Sequence, residues 1–213
     1  MQFSFPKIYP ILDASQIPAV GRAEFLRRLG GELADVGVKL LEYRNKTGMD
    51  GEILADAAFL RAVMPIGTVK LILDDRADLV EEVEFDGVHV DAGDVPPTEA
   101  RRLVGPDRLV GTFGGSDSLL PGVVDAPVDY LAVGPVFQTT TKDTSKAPIG
   151  PEGVRRMRKE IGPDRVITAA AGITLETAPS VLAAGASAVA VSAAIFRAND
   201  PAAEFRRWLA ELG

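Results

Sequence analysis

The side chains with the most chemistry in this sequence sit at the downstream ends of short apolar runs. Asp75 closes the run Lys70–Asp75, and Asp94 lies just beyond the next run, Gly87–Val90. If those runs are neighbouring strands, the two carboxylates can converge. Two carboxylates with open positions suit Mg²⁺, which keeps several waters and takes its other ligands from substrate phosphates. Taken singly, each Asp reads equally well as a helix cap. Arg44 and Lys46 share one side of an extended segment by its period of two. A guanidinium fork beside an ammonium fits a diphosphate, and without the two Asp residues the same pair reads as solvated surface. The segment Thr139-Thr140-Thr141-Lys142 offers hydroxyls, amides and a cation able to follow a leaving diphosphate as its charge develops. Its plainer reading is a solvated loop, which is how Lys146 reads. Gly172 and Ser192-Ala193 follow two later runs beside helix starts, where backbone amides bind phosphate, although a Gly there can be a turn residue alone. His89, between Val88 and Val90, reads as a hydrogen-bonded core residue rather than a catalytic one. The Gly111–Ser116 segment is glycine-rich but lacks the lysine of a P-loop.

These residues need a scaffold that brings strand ends together. The apolar runs are Lys7–Asp13, Val38–Arg44, Lys70–Asp75, Gly87–Val90, Leu109–Phe113, Tyr130–Val136, Val166–Ala170 and Ala188–Ser192. Most are continuously apolar, the mark of parallel strands covered on both faces. Between them lie helical stripes: Phe25, Leu29, Leu33 and Val36 within 24–36, and Ile53, Ala57 and Leu60 within 52–63. Pro96-Pro97 opens another helix, as do Thr174–Thr177 after Gly172 and Pro201 near the end. Eight units in 213 residues give about 27 residues each, close to a minimal (β/α)8 unit. The expected architecture is therefore α/β: a single (β/α)8 TIM barrel over residues 1–213, with the polar residues on its C-terminal face. An open doubly wound sheet would have fewer strands, and its dinucleotide form a Gly-rich first turn, whereas the first loop here is Asp13-Ala14-Ser15-Gln16.

Composition narrows the function. Hydrophobic residues are 46% and charged residues 25%, which excludes a disordered chain. Lys plus Arg is 23 and Asp plus Glu is 30, so the net charge of −7 leaves no basic face for nucleic acid or an anionic membrane. A phosphorylated small molecule needs only a local cluster of donors. With no cysteine and one histidine there is no disulfide frame, thiolate zinc site, Cys nucleophile or multi-His metal site. No secretory h-region and no run of about 20 apolar residues are visible. The expected location is cytoplasmic, and the Asn45-Lys46-Thr47 sequon reads as a chance match.

Taken together, these positions resemble the thiamine-phosphate synthase family over about Lys7 to Phe196. The matching segments are Lys7–Asp13, Val38–Lys46, Leu71–Leu79, Asp86–Val90 with Asp94 beyond, Asp129–Lys142, Ala171–Ile173 and Gly185-Ala186. The stretch Gly134-Pro135-Val136-Phe137-Gln138-Thr139-Thr140-Thr141-Lys142 is the most specific. The resemblance implies a compact (β/α)8 barrel. It also implies an enzyme that joins a hydroxymethylpyrimidine diphosphate to a thiazole phosphate by a dissociative route, in which diphosphate leaves before the thiazole nitrogen attacks. It implies that Arg44, Lys46 and Lys142 hold the diphosphate and that Asp75 and Asp94 bind Mg²⁺. Asp74 stands where the family usually has Asn. Glu42 stands where Gln contacts the pyrimidine side, with Tyr43 and Asn45 in the same substrate-binding segment. Thr139 to Thr141, Gly172, Ser192 and Ala193 match the thiazole-phosphate side.

The chain departs from the family in places. A Ser-x-His after the fifth strand becomes Phe113-Gly114-Gly115, which removes a hydroxyl from the pyrimidine side and leaves Thr112 or Ser116 as its substitute. The Gly-Gly after strand seven is Ala171-Gly172, and the Ser after strand eight is shifted to Ser192. A related thiazole tautomerase, an isomerase on the same barrel, resembles the synthase but uses a His after strand five, which is absent here. A non-catalytic barrel that binds a phosphorylated ligand is the other alternative. A homo-oligomer is compatible with either.

Overall fold

A computed structural model describes residues 3–91, 93–139 and 146–213. Eight parallel strands pair in chain order and close into a barrel, β8 returning to β1. They are β1 (Ile8–Asp13), β2 (Leu40–Arg44), β3 (Lys70–Asp74), β4 (Gly87–Val90), β5 (Leu109–Gly115), β6 (Tyr130–Val133), β7 (Val166–Ala170) and β8 (Ala188–Val191). The helices are α1 (Arg22–Val36), α2 (Asp50–Val63), α3 (Pro97–Val104), α4 (Gly150–Ile161), α5 (Ala178–Ala183), α6 (Ala193–Phe196) and α7 (Pro201–Leu212).

Two regions of the expected pattern differ. Segments 75–86 and 116–129 connect strands through turns rather than helices. In the first, Leu79, Val80, Val83 and Phe85 are buried and cover the barrel where a helix would. In the second, Pro121, Gly122 and Pro127 block helix propagation, and Val123 and Val128 fill the layer. The sixth run stops at Val133, before Gly134-Pro135, because Pro135 has no amide for a ladder. After Gly172, the helix begins at Ala178 rather than Thr174.

Side chains alternate in and out along each strand. Outward Leu41, Tyr43, Leu71, Leu73, Val88 and Val90 share one buried core with Leu26, Leu29 and Leu33 of α1 and Ile53, Ala57 and Leu60 of α2. Gly30 lets α1 and α2 approach closely, since a Cβ there would lie 2.7 Å from Val63. Inward Tyr9, Leu40, Ile72 and Tyr130 fill the barrel, closed from below by Phe3 and Phe5.

The N-terminal end of the barrel carries a repeated arginine clamp. Arg61 of α2 donates to Asp86 (2.6 Å) and to Met64 O, while Asp86 also accepts the Leu71 amide of β3. Arg101 of α3 donates to Asp129 (2.6 Å) and to three carbonyls, while Asp129 accepts the Val110 amide of β5. Arg158 of α4 does the same with Ser187, which accepts the Ile167 amide of β7. In each case the residue just before an even-numbered strand ties the preceding odd strand to a helix. The clamp lies opposite the face where a barrel of this kind places its chemistry.

Candidate active site

The strand register, with the shear of an eight-stranded barrel, stacks the inward side chains in layers contributed by alternate strands. Tyr9, Ile72, Gly111 and Thr168 make one layer. Toward the C-terminal end, Glu42, His89, Ala132 and Ala190 make the next, then Ile11, Asp74, Phe113 and Ala170. Arg44, Asp91, Ser192 and Asp13 ring the mouth. Above Tyr9 and Thr168 opens a cavity of about 740 Å³, lined on one side by these acids and bases and on the other by Ala132, Ala170, Val191 and Ala193.

A hydrogen-bonded chain crosses the floor. Tyr9 Oη donates to Glu42 Oε2 (2.6 Å) and lies 2.7 Å from Tyr130 Oη, which is 3.2 Å from His89 Nδ1. His89 Nε2 lies 3.6 Å from Asp91. Each hydroxyl has one proton, so Tyr130 donates to Tyr9 and His89 Nδ1 donates to Tyr130. The chain thus runs from His89 to Glu42 across the barrel floor. Burial opposes the charge on His89, but the Asp91 contact and the Glu42 charge outweigh it and push its pKa up to about 9. Burial pushes the Glu42 carboxyl up to about 7, aided by Asp74 and Asp91 and opposed by His89 and Tyr9.

At the mouth, the cations already have partners. Arg44 bonds Asp13 and lies 3.4 Å from Asp74 Oδ2. Lys46 bonds Asp75 and lies 3.0 Å from the same Asp74 oxygen. Among the described residues Asp74 Oδ2 is held by charge, with no directed hydrogen bond. The cationic pair is therefore fully compensated by Asp13, Asp74 and Asp75. Asp75, held in the left-handed region at φ 65°, lies against the Asp94 carboxyl. Burial, that contact and the nearby Asp74 charge raise it to about 6. Asp94 also accepts the Asp91 amide (2.7 Å). Neither carboxylate caps a helix: α3 is preceded by Pro96.

Other candidates fall into place by strand direction. Tyr43, taken as a substrate contact, faces the helix layer instead, where its hydroxyl meets Asp56 of α2 (2.5 Å) beside Arg22. It is one residue out of phase with Glu42 and Arg44. Asn45, also taken as a substrate contact, serves the turn into α2, donating to Glu52 (2.7 Å) and accepting from the Gly48 amide (2.8 Å). Thr112 faces outward and donates to Val90 O (2.8 Å), Ser116 donates to Gly134 O (2.8 Å), and neither is among the residues that line the cavity. Phe113 of β5 is on the wall, with Lys146 Nζ 4.2 Å above its ring. Thr139, Gly172, Ser192 and Ala193 line the cavity, and Ser192 Oγ is 3.0 Å from Gln16 Nε2. Gly172 has φ 67°, and a Cβ there would lie 2.2 Å from Gln138 O, so only glycine fits this turn. Thr140, Thr141 and Lys142 lie outside the described residues.

Tyr9, Asp13, Tyr130 and Thr168 were not singled out from sequence. Tyr9 and Asp13 alternate with Leu12 and Pro10, so period two marks them as one face, but nothing local says that this face is the cavity. Among the described residues no three His, Asp or Glu side chains converge on a metal position. No helix among them is long and apolar enough to cross a membrane.

Comparison with known proteins agrees with this geometry. A family model described as thiamine monophosphate synthase matches residues 8–195. The thiamine-phosphate synthase of Koribacter versatilis is 40% identical over 188 residues, covering 88% of each chain. That of Agrobacterium fabrum is 36% identical over 167 residues, 77% of this chain and 76% of its own. The solved thiamine phosphate pyrophosphorylase of Pyrococcus furiosus superposes with a TM-score of 0.79 at 25% identity, covering 97% and 96% of the two chains. A barrel of this register, with its acids and bases gathered at the mouth and this extent of likeness, belongs to the thiamine monophosphate synthase family.

Proposed function

We propose that the chain is a thiamine-phosphate synthase, transferring a hydroxymethylpyrimidine group from its diphosphate to the nitrogen of a thiazole phosphate. The observation that carries this reading is the convergence of Arg44, Lys46, Asp74, Asp75 and Asp94 over a deep cavity in a chain of this family. The C–O bond to diphosphate breaks with its electron pair leaving on oxygen. The thiazole nitrogen lone pair then forms the new C–N bond. No proton changes place, so no general base is required.

The compensated mouth makes sense on this reading. An incoming diphosphate takes over Arg44 from Asp13 and Lys46 from Asp74 and Asp75, exchanging one set of ion pairs for another. The released acids form an anionic wall beside the carbon that becomes positive as diphosphate departs. Lys142 follows the leaving group by the family resemblance. Thr139 to Thr141, Gly172, Ser192 and Ala193 take the thiazole-phosphate side.

Mg²⁺ fits the donor set. Asp75 and Asp94 bring two carboxyl groups against each other, an arrangement that a divalent cation relieves. Mg²⁺ needs only one or two carboxylates beside waters and phosphate oxygens. Asp75 and Asp94 would hold it, and when bound it supplies charge neutralisation to the diphosphate.

The test is direct. Wild-type protein with both substrates and Mg²⁺ should yield thiamine phosphate and diphosphate in equal amounts. An absence of product with authentic substrates refutes the assignment and leaves a ligand-binding barrel. Asp75→Ala should abolish turnover with the melting transition retained, and unchanged activity removes Asp75 from the metal site.

A further inference from the structure

We propose that Thr168 is a substrate-contacting residue, its hydroxyl binding the pyrimidine ring at the floor of the cavity. This rests on the synthase reading above. Thr168 is 1% exposed, and its Oγ1 has no hydrogen-bond partner among the described residues. A buried hydroxyl left unpaired lowers stability, and an isosteric valine would remove that penalty. Thr168 is on the inward side of β7 and is one of the residues that line the cavity.

Its surroundings leave room for a ring. Thr168 is in register with Ala132 of β6 and Ala188 of β8, and the next inward positions are Ala170 and Ala190. The neighbouring floor hydroxyls, Tyr9 and Tyr130, are committed to Glu42, His89 and each other. Thr112 and Ser116 at the end of β5 are turned onto backbone carbonyls. Thr168, two strands further on, therefore supplies to the floor the free hydroxyl that β5 does not.

Depth selects the ligand. Thr168 lies two residues inside the end of β7 at Ala170, about 7 Å at the ~3.3 Å rise of a parallel strand, and Gly172 lies beyond that end. A thiazole tied to a phosphate near Gly172 therefore sits nearer the mouth than Thr168. The register places Thr168 just beneath the layer of Glu42 and His89, where the pyrimidine side falls. A hydroxyl both donates and accepts, so it can serve a ring nitrogen or an exocyclic amine.

The experiment compares wild type, Thr168→Val and Thr168→Ser by KM for each substrate, by kcat and by melting of the ligand-free protein. Thr168→Val should raise KM for the pyrimidine diphosphate about five- to tenfold, the worth of one neutral hydrogen bond. KM for the thiazole phosphate should stay within about twofold, and the ligand-free Tm should be unchanged or higher. Thr168→Ser should restore KM. The proposal is overturned if KM for the pyrimidine diphosphate is unchanged in Thr168→Val, or if both KM values rise together. A fall in the ligand-free Tm also overturns it, because the hydroxyl would then have a partner within the protein. A wild type without turnover overturns the synthase reading and this contact with it.

Discussion

Replacing Asp86 should cost stability without touching chemistry, and the structure sets the size of the effect. Asp86 accepts from Arg61 (2.6 Å), Lys70 (2.9 Å) and the Leu71 amide (3.0 Å), and the Asp86 and Arg61 side chains are only 8% and 9% exposed. Asp86→Ala leaves a buried guanidinium and a strand amide unpaired, which costs about 3–5 kcal/mol. For a chain of this length each kcal/mol moves Tm by about 2–4 °C, so the fall should be about 6–20 °C. Asp86→Asn keeps an acceptor for the Leu71 amide and should lose about half as much. Burial raises the Asp86 carboxyl, but its three donors outweigh burial and hold it below the ordinary value. A depressed carboxylate stabilises above its unfolded pKa, and that contribution is lost as pH falls through the folded pKa. The gap between wild type and variant should therefore narrow below about pH 4. The assay is thermal unfolding by circular dichroism across pH, with kcat/KM measured well below the transition. A Tm loss under about 3 °C, or lost turnover with an unshifted Tm, would refute the division of the barrel into a stabilising face and a chemical face.

Other consequences are as specific. Tyr43→Phe removes the hydroxyl on Asp56 and should cost about 1–2 kcal/mol while both KM values stay within about twofold; a selective rise in either KM would return Tyr43 to the cavity. Glu42 carries a carboxyl raised to about 7 from an ordinary value of 4.5, so its contribution to stability is full below pH 4.5 and is lost as pH rises through 7. Across that window the Tm of Glu42→Gln should gain steadily on wild type. A constant Tm difference would show that burial does not hold the proton. Chelation of Mg²⁺ should stop thiamine phosphate formation with far-ultraviolet circular dichroism unchanged, and turnover in chelator would remove the ion from the mechanism.

The local pattern carried much of the barrel. Continuous apolar runs such as Tyr130–Val133 and Ala188–Val191 are buried on both faces because both faces are covered, and that composition is visible in the chain. The two missing helices were less legible, because buried Val80, Val83 and Phe85 look the same on a turn as on a helix. Period two placed Arg44 and Lys46 together, and applied strictly it also turns Tyr43 away from them.

By itself, the sequence determined which residues end strands, which side of each strand they share, and that Asp75 and Asp94 follow neighbouring strands. Tertiary structure alone decided which of those sides meet. Arg44 finds Asp13 and Lys46 finds Asp74 because closure and shear set the height of one strand against the next. The same geometry links Glu42, Tyr9, Tyr130 and His89, drawn from β2, β1, β6 and β4, across the barrel axis. It also leaves Thr168, level with Tyr9, without a hydrogen-bond partner among the described residues. Side-chain alternation is a local property of an extended backbone. Contact across a barrel depends on the cumulative stagger of all eight strands, which no single segment encodes.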